Sequence, residues 1–166
     1  MKPYILEKIV DTDKLQRKIA RWRLKNQRIV FTNGCFDLVH AGHIEYLLEA
    51  RALGDRLVIG VNADASVSRL KGAHRPIKDE QTRLLVLASF QFTDAVLLFE
   101  EDTPQHLIEI VRPDVLVKGG DWKEEQIVGS AFVRSYGGEV KSLPFLAGHS
   151  TSALEQKILA ANRAHE

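Results

Sequence analysis

A three-layer α/β fold on a parallel sheet of about five strands is what this 166-residue sequence predicts, and two observations carry it. Short apolar runs rich in β-branched residues recur along the chain. Between them lie longer amphipathic stretches with helix start signals. Alternation at this spacing requires crossover connections, which run right-handed and cover both faces of a parallel sheet. The expectation is a Rossmann-like sandwich in one domain over 1–166, with an N-terminal helical segment (1–27) ahead of a core (28–160).

Each element has its own signal. Asp13 is placed to cap a helix over Lys14–Asn26, with Leu15, Ile19, Trp22 and Leu24 on the apolar face. Strands are predicted over Arg28–Thr32, Arg56–Val61, Ala95–Phe99, Val115–Lys118 and Glu139–Leu143. Ile44–Leu53 carries Leu47, Leu48 and Ala52 on one stripe and stops at Gly54. Asp79–Phe90 is a Leu-rich helix, and Thr103-Pro104 reads as a cap followed by proline at the first helical position. A last helix begins near Ser150-Thr151 and runs toward Ala161.

Composition narrows the function. Hydrophobic residues are 45% and charged residues 27%, ordinary for a globular protein. A net charge of +1 gives no bulk field toward nucleic acid or a membrane surface, so neither is an expected partner. Cys35 is the only cysteine, which excludes an internal disulfide and a multi-cysteine zinc site and fits a reducing compartment. No stretch approaches the ~20 apolar residues that span a bilayer, and the start lacks an apolar run with a cleavage site. A cytoplasmic protein is expected.

In such sheets ligands bind beyond the carboxyl ends of the strands, so the loops to search are Asn33–His43, Asn62–Pro76, Gly119–Trp122 and Pro144–Thr151. In the first, Asn33-Gly34 supports a tight turn, and His40-Ala41-Gly42-His43 enters a helix whose free N–H groups and dipole favour phosphate. Two histidines three apart point the same way, across a residue with no side chain. They would otherwise be solvated or capping groups; the position directly after a strand favours the anion reading. GxGxxG and GxxxxGK[ST] are both absent, which disfavours a nicotinamide dehydrogenase and a Walker-type ATPase. Zinc would need ligands beyond the two histidines, and no HExxH or cysteine cluster supplies them.

The second loop offers Asp64, Arg69, Lys71, His74 and Arg75 around Gly72, a set that reads equally as a solvated, mobile loop. Arg83 lies in a helical pattern where an exposed salt bridge is the ordinary explanation. In the last loop, Ser150, Thr151 and Ser152 suit both an N-cap and a phosphate site, and His149 takes no assignment.

These residues carry a resemblance. TNGCFDLVHAGH is similar to the signature of the cytidylyltransferase-like nucleotidyltransferases. GVNADASVSRLKGAHRP, EDTP, RPDVLVKGGDW and GHSTS extend the likeness over roughly Arg28 to Ile158. Together the blocks resemble the D-glycero-β-D-manno-heptose 1-phosphate adenylyltransferases of ADP-heptose synthesis, in the form without a kinase domain. The resemblance implies the HxGH nucleotidyltransferase fold and AMP transfer from ATP onto a sugar 1-phosphate, with Mg²⁺ carried by ATP and no dedicated protein metal cage. It implies catalytic roles for His40, His43 and Lys71. Nucleotide binding would fall to Thr32, Asn33, Gly34, Cys35, Phe36, Gly42, Lys118, Gly120, Asp121, Ser150, Thr151 and Ser152, with the ring of Phe36 left to core packing. Asp37, Asp64 and Arg75 are candidates for the sugar phosphate. A homodimer or larger assembly is implied as well. Other readings are a glycerol-3-phosphate cytidylyltransferase, a pantetheine-phosphate adenylyltransferase or a non-catalytic nucleotide-binding module, since fold does not fix substrate.

Overall fold

Five strands form one sheet in the order β3-β2-β1-β4-β5, and every pairing is parallel. They are β1 (Ile29–Gly34), β2 (Arg56–Asn62), β3 (Ala95–Phe99), β4 (Val115–Gly119) and β5 (Glu139–Leu143). The computed structural model describes residues 2–144 and residue 160, so the predicted last helix and His149, Ser150, Thr151 and Ser152 lie outside the described residues. The strand order reverses between β1 and β4, which opens the crevice that follows those two strands.

Helices cover both faces. Alternation along the strands sends Phe31, Val58, Leu97 and Leu116 to one face, under α2 (Thr12–Leu24) and α6 (Gln105–Val111). Val30, Ile59, Val61, Val115 and Val117 go to the other, under α3 (Ala41–Ala52) and α5 (Glu80–Ser89). Short α1 (Lys2–Leu6), α4 (Asp64–Lys71), a 3₁₀ turn over Glu124–Gln126 and α7 (Ser130–Ser135) complete the described elements.

Several expectations are corrected. Asp11, not Asp13, caps α2, accepting the Lys14 N–H at 2.8 Å; Asp13 lies inside the first turn, where the helix dipole favours its charge. Leu24 is 86% exposed because α2 ends there, beyond the sheet it packs on. The buried stripe of α3 is Tyr46, Leu47 and Ala50, with Leu48 and Ala52 exposed, because the helix begins at Ala41 and is rotated accordingly. Pro104 stands just ahead of α6, and its carbonyl accepts from Ile108. The segment 64–71, read as loop, is the helix α4, which buries Ser66 and Val67 and stops at Gly72 with φ +101°. The N-terminal segment closes an edge: Val10 N–H donates to the Val96 carbonyl, and Val96 N–H to that of Lys8, capping the open side of β3.

Candidate active site

A cavity of about 510 Å³ opens above β1 and β4, at the switch point. From the predicted set, Asn33, Gly34, Cys35, Phe36, Asp37, His43, Lys71 and Lys118 line it. His40 stands behind His43, its ring centroid 4.0 Å away. Phe36 is 5% exposed, its ring centroid lies 5.6 Å from that of His43, and a β-carbon at Gly34 would come within 3.1 Å of its ring. That close packing leaves little room for a side chain at Gly34 and sets the phenyl ring against the imidazole. Phe36 also adopts φ +49°, a left-handed conformation that non-glycine residues take at a cost of about 1–2 kcal/mol.

The loop is held in that shape by a fully buried arginine. Arg83 Nη1 donates to the Cys35 carbonyl at 2.6 Å, Nη2 to Asp64 at 2.7 Å and Nε to the Lys78 carbonyl at 3.1 Å. An exposed salt bridge was the expectation for Arg83; the first loop folds back over α5 and covers it instead. Asp37 is the second anchor. Its carboxylate accepts from Arg75 at 2.6 Å and from the Ile77 and Lys78 N–H groups, both at 2.9 Å. Burial alone would raise this carboxyl, but the Lys78 and Ile77 N–H groups and then Arg75 outweigh it and hold it below its ordinary range.

Of the three residues expected at the sugar phosphate, Asp64 and Arg75 therefore stand in ion pairs outside the cavity lining. Asp37 lines the cavity with its carboxylate already engaged. Thr32 is likewise placed away from the cavity, fully buried with its hydroxyl against that of Tyr46. Gly42 is buried in the first turn of α3. Asp121 is exposed and Gly120 turns the chain at φ +112°, while Gly119 and Trp122 beside them line the cavity.

The lining also contains Asn62, Asp102, Thr103, Pro104, Gln126, Ile127 and Val128; Asp102, Thr103 and Pro104 belong to the EDTP block, and none of the seven is among the predicted site residues. Asp102 and Thr103 follow β3, so the loop after that strand also reaches the ligand end of the sheet. Ile127 and Val128 lie in a segment without strand or helix periodicity, so no local signal marks them.

Electrostatically the cavity presents two lysines and no free carboxylate among its described residues. His43 is driven down to about 4 by burial, then by His40 and Lys71, so it is neutral at pH 7. Lys118 is lowered by burial and by Lys71, against an opposing contribution from Cys35. Among the described residues neither lysine has a carboxylate partner, because Asp37 is engaged by Arg75 and Asp102 by Arg69. The depressed His43 has a signed consequence. An unfolded chain takes up this proton near pH 6.5 and the folded one only near pH 4, so stability falls as pH drops through that window. Melting temperatures at pH 7.0, 5.5 and 4.5 should show less loss in His43→Gln than in wild type; parallel curves would refute the assignment.

The chain is similar to several known proteins. A model of the family described as cytidylyltransferase-like matches residues 31–145. The bifunctional protein HldE of Magnetococcus marinus is 52% identical over 154 residues, 93% of this chain and 32% of that protein. That of Hahella chejuensis is 56% identical over 82% of this chain and 28% of its own length. The chain thus spans about a third of the length of these relatives. Among solved structures, a lipopolysaccharide core biosynthesis protein from Thermoplasma volcanium is 33% identical with a TM-score of 0.58, covering 72% of this chain and 97% of that one. A pantoate-beta-alanine ligase from Francisella tularensis, 15% identical with a TM-score of 0.59 over 89% of this chain and 75% of its own, shares the fold. No described helix is long and apolar enough to cross a membrane.

Proposed function

The chain belongs to the cytidylyltransferase-like family of nucleotidyltransferases, and from that premise we propose that it transfers AMP from ATP to D-glycero-β-D-manno-heptose 1-phosphate in the synthesis of a surface glycan precursor such as that of lipopolysaccharide. The observation that carries the reading is the convergence of His43, Lys71 and Lys118 on one cavity, beside the first loop, with no free carboxylate among its described residues. The adenine and the heptose rest on the LKGAHRP and VKGGDW blocks and on the likeness to HldE proteins.

In this reaction an oxygen of the acceptor phosphate attacks the α-phosphorus of ATP. The bond from that phosphorus to the bridging oxygen breaks, and pyrophosphate leaves with the electron pair. Such chemistry needs alignment and charge stabilisation rather than a covalent intermediate. The start of α3 and the neutral His43 offer N–H donors to the leaving phosphates, and Lys71 offsets charge at the α-phosphorus. Mg²⁺ would enter on the triphosphate, held by phosphate oxygens and water. A cytoplasmic setting and a homo-oligomeric state belong to the same proposal.

Pyrophosphate release tests the reading directly. Purified protein should turn over ATP with heptose 1-phosphate far faster than CTP with glycerol 3-phosphate, or ATP with phosphopantetheine. Absence of turnover with ATP and heptose 1-phosphate would overturn it, and ATP binding without any turnover would favour a binding module.

A further inference from the structure

The cavity has two halves, one on each side of the sheet's upper edge, and Lys118 belongs to the half away from the two histidines. Val115 and Val117 point to the face under α3, so Lys118 points with Leu116 to the face under α6. Asn33 shares that side: a side chain at Gly60 would meet Asn33 Cβ, Phe31 and Leu107 together. His43 and Tyr46 belong to α3 on the opposite face. Lys71, at the end of α4, is near enough for its charge to act on both His43 and Lys118. On the α6 side the cavity is lined by Thr103 and Pro104, just ahead of that helix, and by Ile127, which packs in the same core cluster as Leu107 and Ile108.

A half-buried lysine that lines the cavity with no ion pair or hydrogen bond among the described residues carries an uncompensated charge until a ligand supplies the counter-charge. The helix start of α3 faces the other half and suits the triphosphate. One anion is then left to account for, the phosphate of the acceptor. We propose that Lys118 binds the phosphate of the incoming sugar 1-phosphate, opposite Lys71, and that the α6 side of the cavity is the acceptor's compartment. The assignment rests on the nucleotidyltransfer reading above and places Lys118 away from the base and ribose, where the family resemblance alone would put it. With the nucleophilic phosphate held between two lysines and the triphosphate on α3, the attacking oxygen approaches the α-phosphorus from the side opposite the leaving pyrophosphate, as in-line displacement requires.

The test compares wild type with Lys118→Met and Lys118→Arg in steady-state kinetics, in ATP binding by calorimetry and in melting temperature without ligand. Lys118→Met should raise the KM for heptose 1-phosphate by about ten- to a hundredfold, the range of a lost charge-assisted hydrogen bond. Its KM and affinity for ATP should stay within about threefold. Its ligand-free melting temperature should hold or rise, since an uncompensated buried charge has been removed. Lys118→Arg should recover much of the acceptor affinity. A loss concentrated in ATP affinity, an unchanged acceptor KM, or a lowered melting temperature in both variants would overturn the proposal. If wild type itself turns over no heptose 1-phosphate, the substrate reading fails separately. Lys118 is then tested by binding inorganic phosphate to the ATP-loaded protein: retention of phosphate by wild type but not Lys118→Met supports the site, and equal binding refutes it.

Discussion

Replacing His43 with alanine should lower turnover by about 100- to 1000-fold, the range measured when one preorganised donor is removed from a charged transition state. The magnitude follows from placement. His43 lies in the first turn of α3, half-buried, with the Phe36 and His40 rings both tilted against it, so its ring is held before substrate arrives. Burial, His40 and Lys71 keep it neutral at pH 7, and it reaches the reaction as an N–H donor without a permanent charge. Its contribution therefore grows as charge develops on the leaving pyrophosphate, which affects kcat more than ground-state binding. The measurement is kcat and KM for ATP in His43→Ala, alongside its melting temperature at pH 7. An unchanged kcat, or a loss confined to KM for ATP, would rule out a transition-state role.

A comparable effect, on stability rather than chemistry, is expected at Arg83. Its guanidinium is fully buried and spends its donors on Asp64 and on the carbonyls of Cys35 and Lys78. Arg83→Met leaves those acceptors without their donor inside the protein, a change that costs about 3–5 kcal/mol when a buried pair is broken. The damage should concentrate at the site, because the Cys35 carbonyl is the point where the first loop is pinned. Urea unfolding of Arg83→Met reads the stability, and pyrophosphate release reads the activity. Arg83→Lys keeps the charge without the fork and should fall between wild type and Arg83→Met in both. A cost below about 1 kcal/mol for Arg83→Met would show that the pair contributes little. The partner substitution Asp64→Asn should cost less, since that carboxylate is 40% exposed and water can take over its contacts.

Arg83 also shows where sequence reading stops. A charged residue in a helical pattern is exposed far more often than buried, and nothing local to Asp79–Phe90 says that residues 35 and 64 will close over it. Asp37 and Arg75 looked like ligands for the same reason: polar residues in loops after strands are candidates until their partners are known. The two are 38 positions apart and meet only because β1 and β2 are neighbours. Asn33, Gly34 and Cys35 were legible because they lie at the end of β1, which a period-two pattern already marks, and His43 and Lys71 because they follow in the segments after β1 and β2. The helix α4 was not, since eight residues with two buried positions leave too weak a periodicity.

The sequence by itself determined the layered α/β class, β3 and β5 at both ends and the other three strands to within two residues at each end, and the place of His40-Ala41-Gly42-His43 where a helix starts after the first strand. These depend on local periodicity, turn chemistry and helix starts, which neighbouring residues encode. The tertiary structure alone decided the order β3-β2-β1-β4-β5, which sets Lys118 beside the first loop, and the face on which that lysine emerges. Strand order and register are settled by packing between segments distant in the chain. So the two-sided character of the cavity could be seen only once the sheet was assembled.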